Sequence, residues 1–319
     1  MLTVEMIHQA RARIAPYIYE TPLLRLRALD AVLGCEVYVK PECMQKTNSF
    51  KLRGATNRLL TLPKEALEKG VVTASSGNHG KATAYAAKCL GVPACIVLPD
   101  TAPKVKVEGI RGYGAEVVFS APAERYGVAE KLRDEKGYTL ISPFDDYELM
   151  AGQGTAALEI MDQLPEVDAV VVPIGGGGLI GGVSTAIKET NPNIRVIGVE
   201  PANVCRYTQS FAAGHPVRLP ADCTSVADGT QTLFPGERNY PIVQKNVDTI
   251  VTVDEEYILK ATKLLLTQGK VLAEITSCQV IGAVLQGKLQ FKPQEKVVFL
   301  LSGGNIGMDQ FKKFEEVTL

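Results

Sequence analysis

The chain has 319 residues, of which 46% are hydrophobic and 22% charged, and its net charge at pH 7 is −1. This composition is typical of a globular protein with room for two domains, and the balanced charge argues against nucleic acid or an anionic membrane as a partner. Seven cysteines without a CxxC pair and three histidines without HExxH spacing predict reduced thiols and no zinc site.

The predicted elements begin with an amphipathic helix that Thr3 caps and that ends near residue 14. Glu5 and Arg11 interrupt this segment, so it lacks the continuous apolar core of a signal peptide, and no later segment is apolar enough to predict a membrane span. We therefore expect a cytoplasmic protein.

From there, strands and helices alternate along the chain. Strands are predicted over residues 36–40, 71–74, 94–98, 116–119, 169–172, 195–199, 249–253 and 297–301. A helical pattern starts at Lys51, and further helices are predicted over residues 81–90, 104–111, 126–136, 155–163, 179–189, 255–268 and 276–286. Asp254 is a suitable cap for the helix that follows it, and residues 214–241 are predicted to be an irregular surface excursion because they are rich in Pro, Gly and Asp.

This alternation predicts an α/β fold with mainly parallel sheets. The regular pattern between residues 56 and 147 can form a small sheet of its own. We therefore expect a large domain of residues 1–55 and 148–319, with a small domain of residues 56–147 inserted into it.

The most informative stretch is DAVVVPIGGGGLIGGV at residues 168–183, in which a β-branched strand, four glycines and a helical face follow one another. Free backbone N–H groups and the positive end of a helix dipole meet at such a turn, which predicts a phosphate site. A tight packing turn without a ligand is the alternative, although four consecutive glycines carry a large entropic cost.

The same run matches GxGxxG through Gly176, Gly178 and Gly181, and Glu200 ends the next strand. An acidic residue near this position is typical of dinucleotide-binding folds, so NAD stays open as a ligand on this evidence.

Three predicted strands end in turns that combine glycine with polar side chains or a phosphate-binding pattern: SSGNHG (Ser75 to Gly80), GGGG (Gly175 to Gly178) and SGGN (Ser302 to Asn305). Ligands of open α/β sheets bind beyond the carboxyl ends of strands. Three such turns therefore predict one buried ligand with several polar edges.

Together with TNSFKLRGA at residues 47–55, these turns resemble the serine/threonine dehydratase and serine racemase family in order and spacing. Members of that family are pyridoxal-phosphate enzymes with the tryptophan-synthase-β fold type. The resemblance implies two open, mainly parallel twisted sheets flanked by helices, a mobile small domain, an amino-acid substrate and a homodimer. The position of the GxGxxG run counts against NAD, because a dinucleotide fingerprint normally lies in the first βαβ unit and more than 160 residues of α/β pattern precede this one.

The resemblance implies catalytic roles for Lys51, which forms the Schiff base with the cofactor, and for Ser76, which handles the Cα proton on the opposite face in racemases. It also assigns the remaining site residues. The cofactor-binding set is Phe50, Lys51, Asn78, Gly175, Gly176, Gly177, Gly178, Glu274 and Ser302, and the substrate-binding set is Ser75, Ser76, Asn78, His79 and Arg125.

Within this set, the resemblance implies that Phe50 packs on the pyridine ring, that Asn78 forms a hydrogen bond with the ring hydroxyl and that Ser302 forms one with the ring nitrogen. A neutral serine does not hold that nitrogen protonated as an aspartate would, which favours rapid loss of a β-substituent over a long-lived carbanion. Alternative interpretations exist for Lys51 as an exposed helix lysine and for Ser76 as a locally bonded loop serine.

Arg125 corresponds, with a two-residue gap, to an arginine that racemase-like members place near the distal end of the substrate. A positive charge there would favour a dicarboxylic substrate such as 3-hydroxyaspartate. The alternative is an ordinary solvated arginine in the first turn of a helix.

Many relatives also hold a cation with groups at offsets of zero, four and six residues, where this chain has Glu200, Val204 and Arg206. Arginine has donors only and cannot bind a cation. We therefore expect no metal here, with the guanidinium of Arg206 neutralising Glu200.

The predicted function is dehydration and deamination of L-threonine or L-serine to a 2-oxo acid and ammonia. Serine racemisation and 3-hydroxyaspartate dehydration are the nearest alternatives, and an NAD-dependent oxidoreductase or a ligand-binding protein without catalysis are more remote ones.

Overall fold

The computed structural model describes residues 1–75, 77–102 and 104–319, with Val105 described by its backbone alone. Within these residues, no helix combines the length and the apolar character that crossing a membrane requires.

Ten strands and thirteen α-helices make up the described part of the chain. The strands are β1 (Leu24–Arg25), β2 (Glu36–Pro41), β3 (Val71–Ala74), β4 (Ala94–Pro99), β5 (Glu116–Ser120), β6 (Thr139–Leu140), β7 (Ala169–Pro173), β8 (Arg195–Pro201), β9 (Thr249–Val253) and β10 (Lys296–Leu301). The helices are α1 (Val4–Ile14), α2 (Asp30–Leu33), α3 (Lys51–Leu60), α4 (Lys64–Lys69), α5 (Asn78–Leu90), α6 (Lys104–Arg111), α7 (Arg125–Lys136), α8 (Tyr147–Gln163), α9 (Gly178–Thr190), α10 (Arg206–Ala213), α11 (Asn239–Asn246), α12 (Glu255–Leu264) and α13 (Ile275–Leu285).

The larger sheet has six strands in the order β1-β2-β10-β7-β8-β9, and all neighbours are parallel except the short edge strand β1. Its central strands are buried on both faces. In β7, Val171 faces one core cluster and Val170 and Val172 face the other. Such strands read as continuous apolar runs because helices cover both sides of the sheet.

The smaller sheet has four parallel strands in the order β5-β4-β3-β6, all drawn from residues 71–140. The expectation of an α/β fold with two mainly parallel sheets is therefore confirmed. Helix α3 lies between β2 of the larger sheet and β3 of the smaller sheet in the chain, and it packs against both α8 and α5. The domain boundaries at residues 55/56 and 147/148 stay a prediction.

The largest difference from the predicted elements is in α8, which begins at Tyr147 and not near residue 155. Asp146 caps it by accepting a hydrogen bond from the backbone N–H of Leu149. Gly152 and Gly154 obscured the helical pattern. Each lies where a Cβ would overlap neighbouring backbone, of Arg53 and of Gly182 respectively, so close helix packing explains both glycines.

Three further boundaries differ from expectation. Helix α5 begins at Asn78 rather than residue 81, so half of the SSGNHG segment belongs to the first helical turn. Helix α12 ends at Leu264 and continues as one π-helical turn. The excursion at residues 214–241 is mostly irregular as expected, but α11 starts within it at Asn239.

Candidate active site

The GGGG and SGGN turns follow β7 and β10, which are parallel neighbours in the larger sheet, so both lie at its carboxyl edge. The SSGNHG turn follows β3 of the smaller sheet and is joined to the SGGN turn by the hydrogen bond from Asn305 to Asn78. The TNSFKLRGA segment joins the SGGN turn directly. Ser49 and Gly303 form an isolated antiparallel bridge, and the backbone N–H of Phe50 donates to the carbonyl of Ser302 at 3.0 Å. This pairing places Lys51 next to the end of β10.

Lys51 is the first residue of α3 and is partly buried, and its ammonium lies 5.1 Å from the ring centre of Phe50. Its Nζ donates a hydrogen bond to the carbonyl of Pro143. Burial lowers the pKa of Lys51 to about 8, and the charge of Glu274 opposes part of this shift. A substantial fraction of the amine is therefore neutral near physiological pH, as nucleophilic attack on an aldehyde requires.

A second group of polar side chains connects the first turn of α5 with the far end of the chain. The Asn78 amide donates to both carboxylate oxygens of Glu274, and its oxygen accepts a hydrogen bond of 2.7 Å from Asn305. Lys81 donates to the Asn305 side-chain oxygen at 2.7 Å. Burial raises the pKa of Glu274 to about 7, so this carboxyl changes charge within the physiological range.

The tetraglycine turn, Gly175 to Gly178, leads from β7 into the 13-residue helix α9. Within the described residues, the backbone N–H groups of Gly175, Gly176 and Gly177 have no hydrogen-bond acceptor. Gly177 has φ +103°, and a Cβ on Gly176 would overlap the ring of Phe144. Three free donors at a helix N-terminus match the requirements of a phosphate group.

Ser302 follows β10 directly and is buried. Its hydroxyl lies 3.2 Å from the hydroxyl of Ser277 on α13. The Ser277 oxygen also donates to the carbonyl of Gly303 and accepts from the N–H of the same residue, both at 2.8 Å. Ser277 therefore fixes the turn that presents Ser302, an uncharged partner for a ring nitrogen.

On the predicted substrate side, Ser75 follows β3, and His79 is buried in the first turn of α5. The His79 Nε2 lies 3.3 Å from the carbonyl of Ile141. Burial, reinforced by the charge of Lys51, lowers the pKa of His79 to about 3, so this imidazole is neutral at physiological pH. Ser76 lies outside the described residues.

Arg125 begins α7, just after β5, at the same edge of the small sheet as Ser75. Its guanidinium lies 5.1 Å from the ring centre of Tyr126. In the part of the chain that the structure describes, the buried Nε of Arg125 has no hydrogen-bond partner. Its role as a substrate contact stays a prediction.

The cation position contains a buried guanidinium. Arg206 Nη1 lies 3.7 Å from the carboxylate of Glu200, and Nη2 donates to the carbonyl of Val204. The remaining contacts of this guanidinium are with the carbonyls of Ile174, Gly175 and Thr230, at 2.8, 2.9 and 2.7 Å.

Three further residues of the site, Pro143, Phe144 and Ser277, were not predicted from the sequence. Pro143 and Phe144 follow the two-residue strand β6, which was too short to recognise, and Ser277 lies inside an apolar helical stretch. A signal was present in the SPFDD segment at residues 142–146, which, like the other turns, follows a strand of a parallel sheet.

These groups fit pyridoxal phosphate in three independent respects. The free N–H groups of the tetraglycine turn suit a phosphate, the buried amine of Lys51 suits an aldehyde, and the hydroxyl of Ser302 suits a pyridine nitrogen. A dinucleotide site would leave Lys51 and the SGGN turn without a role.

Comparison with known proteins supports pyridoxal phosphate as the cofactor. Residues 14–303 match the family model described as pyridoxal-phosphate dependent enzyme. A serine racemase from Oryza sativa is 39% identical over 311 residues, covering 96% of this chain and 91% of the relative. An L-threonine ammonia-lyase from Thermotoga maritima is 42% identical over 315 residues, covering 98% of this chain and 78% of the relative.

Among solved structures, that of maize serine racemase superimposes with a TM-score of 0.93 at 38% identity, covering 98% of this chain and 96% of the other. Both comparisons thus agree with pyridoxal phosphate as the cofactor. The chain belongs to the family of pyridoxal-phosphate-dependent enzymes.

Proposed function

We propose that the protein removes water from L-threonine or L-serine by α,β-elimination. Water then hydrolyses the released enamine, which gives a 2-oxo acid and ammonia. The observation that supports this proposal is that the site combines a lysine amine whose pKa is lowered to about 8 with the uncharged hydroxyl of Ser302, which we assign to the ring nitrogen. When bound, pyridoxal phosphate supplies an aldehyde for the substrate amine and a ring that accepts electron density from Cα.

Lys51 is proposed to act first as the covalent anchor of the cofactor and then as the general base that takes the Cα proton. The fall of its pKa toward 8 favours both tasks, because a neutral amine is needed for attack and for proton removal. The hydrogen bond from Nζ to the Pro143 carbonyl fixes the position of the amine.

The substrate carboxylate is proposed to bind at the start of α5. Ser75, Asn78 and His79 are assigned to this task, with Ser76 as a further member that lies outside the described residues. The first N–H groups of a 13-residue helix point toward this position and carry partial positive charge. The neutral His79 can serve there as a hydrogen-bond partner without adding charge.

The cofactor itself is proposed to be held at four points. The tetraglycine turn binds the phosphate, Phe50 packs on the ring, Asn78 with Glu274 contacts the ring hydroxyl, and Ser302 contacts the ring nitrogen. Two helices begin at the site, and each is proposed to bind one anionic group at its N-terminus: α5 binds the substrate carboxylate and α9 the cofactor phosphate.

Racemisation of serine is the second candidate, and the observation that favours it is the 39% identity with the rice serine racemase. Racemisation requires an acid on the face opposite Lys51, which is the role assigned to Ser76. Dehydration of 3-hydroxyaspartate would in addition require Arg125 to reach the substrate.

One experiment separates these activities. The purified holoenzyme is incubated with L-serine, D-serine, L-threonine and 3-hydroxyaspartate, and 2-oxo acid, ammonia and the chirality of the recovered amino acid are measured. We expect 2-oxo acid from L-threonine or L-serine in amounts that match the ammonia. Inverted serine without oxo acid would instead identify a racemase, and no turnover of any substrate would contradict the proposal.

A further inference from the structure

The first two residues of α10, Arg206 and Tyr207, form hydrogen bonds with backbone carbonyls of the tetraglycine turn and of the residue before it. Arg206 is fully buried, and its Nη1 donates to the carbonyls of Ile174 and Gly175, at 2.8 and 2.9 Å. Tyr207, also fully buried, donates its hydroxyl to the carbonyl of Gly176 at 3.1 Å. Three consecutive carbonyls are thus fixed on one side of the turn.

A trans peptide bond directs the N–H of each residue opposite to the carbonyl of the residue before it. Fixing the carbonyls of Ile174, Gly175 and Gly176 therefore turns the N–H groups of Gly175, Gly176 and Gly177 to the other side. These are the three N–H groups that have no acceptor within the described residues. The orientation of the donors is thus set by the contacts behind them.

The same two residues are anchored to the rest of the large sheet. The other terminal nitrogen of Arg206 donates to the carbonyls of Val204 and Thr230. Glu200, at the end of β8, accepts from the backbone N–H of Tyr207 at 3.0 Å and lies 3.7 Å from the guanidinium. A buried charge is retained only when it is paired and bonded in this way.

Rotation of the turn would therefore break several bonds to a buried cation. Gly177 adds a steric condition, because its φ is +103° and a Cβ there would lie 2.0 Å from the Tyr207 hydroxyl. The turn consequently has little freedom to rotate its N–H groups inward. Such preorganisation reduces the ordering that anion binding would otherwise require.

We propose that Arg206 and Tyr207 are positioning residues that hold the tetraglycine turn with its donors directed at the phosphate of the cofactor. This inference rests on the assignment of the turn as the phosphate site. It predicts that the two residues act on recognition of the phosphate and not on the aldehyde or the ring.

The test compares two ligands that differ only in the phosphate. The full chain is freed of cofactor, and its affinities for pyridoxal phosphate and for pyridoxal are measured by absorbance titration. The variants are Tyr207→Phe, Arg206→Lys and Arg206→Met. Tyr240→Phe is the matched control, since Tyr240 is a buried tyrosine of the same core whose hydroxyl donates to the carbonyl of Ser210, away from the turn.

We expect the ratio of the two affinities to fall about 3- to 10-fold in Tyr207→Phe, the range for loss of one hydrogen bond. A fall of tenfold or more is expected in Arg206→Met, with an intermediate fall in Arg206→Lys. Tyr240→Phe should keep the wild-type ratio. Equal loss of both affinities, or the same ratio in Tyr207→Phe as in Tyr240→Phe, would overturn the proposal.

If Arg206→Met does not fold, Tyr207→Phe and Arg206→Lys decide the question alone, because each keeps the buried positive charge. Failure of this proposal can also be distinguished from failure of the proposed elimination reaction. A wild-type protein that binds the cofactor but releases no oxo acid would refute the elimination and leave the affinity ratios to be judged separately.

Discussion

The side chains of Asn78 and Glu274 are joined by hydrogen bonds of 2.9 and 3.1 Å although the two residues are 196 positions apart. Burial raises the pKa of Glu274 from an ordinary 4.5 to about 7. Between these two values the folded protein binds more protons than the unfolded chain. Stability from this group is therefore complete below pH 4.5 and is lost as the pH rises through 7.

The cofactor-free Glu274→Gln variant should lack this dependence. Relative to wild type, its free energy of unfolding should increase by about 1–3 kcal/mol between pH 5 and pH 8, since one pKa unit corresponds to about 1.4 kcal/mol. Urea unfolding at several pH values measures the difference. A difference that stays constant with pH would show that the raised pKa of Glu274 is wrong.

Removing the amine of Lys51 should abolish covalent uptake of the cofactor. After incubation with pyridoxal phosphate and reduction with borohydride, wild type should carry the label on the peptide containing residue 51, and Lys51→Ala should not. The rate of uptake should rise as the pH passes through about 8, because deprotonation produces the attacking amine. Lys64→Ala, at an exposed lysine, serves as the control.

The buried guanidinium of Arg206 should make added cations unnecessary, because a permanent positive charge already lies beside Glu200 and the carbonyl of Val204. We expect the melting temperature and the activity of the holoenzyme to be unchanged by EDTA and by added Mg²⁺, Ca²⁺ or Mn²⁺. A clear drop on chelation that returns with one of these ions would contradict this expectation.

Arg53 should be among the most sensitive positions for stability. It lies on α3, two residues from Lys51, and forms hydrogen-bonded ion pairs with Glu42 and Glu159 in a fully buried network that also includes Lys40. Arg53→Met leaves two buried carboxylates with one cation, which should lower the free energy of unfolding by about 3–5 kcal/mol. Denaturant unfolding measures this loss.

The control is Arg133→Met, which removes an exposed arginine paired with its neighbour Asp134. Exposed pairs contribute little, so no measurable change is expected. Equal effects of the two substitutions would mean that the buried network of Arg53 has no special role in holding α3.

Gly177→Ala should weaken cofactor binding through an overlap with Tyr207. The appropriate comparison is Gly287→Ala, because Gly287 also has a positive φ, +75°, but has open space around it. In both variants, placing an alanine at a positive φ costs about 1 kcal/mol. Only Gly177→Ala also forces Tyr207 or the turn to move. Titration with pyridoxal phosphate should show weaker binding in Gly177→Ala alone.

The strands and the glycine turns were predictable because their signals are local. The buried run at β7 and the glycines after it mark one βα unit without information from elsewhere in the chain. Helix α5 was placed three residues late because Asn78 and His79 are polar, and a polar first turn looks like a loop in sequence.

The contacts that complete the site were beyond sequence reasoning because they join distant segments. Lys51 meets the carbonyl of Pro143, 92 positions away, and Ser302 meets Ser277 across two elements. The start of α8 was missed for a related reason. Gly152 and Gly154 lower helix propensity locally, and only the neighbouring helices show why they are there.

The position of β10 in the large sheet has a consequence for the order of events during synthesis. Strand β10 lies between β2 and β7, so these two preceding strands acquire their shared partner only after residues 296–301 have been synthesised. Contacts of such long sequence separation form late. The vitamin-derived ligand can therefore be captured only after β10 has joined the sheet, and a chain arrested before residue 296 should be unable to retain it.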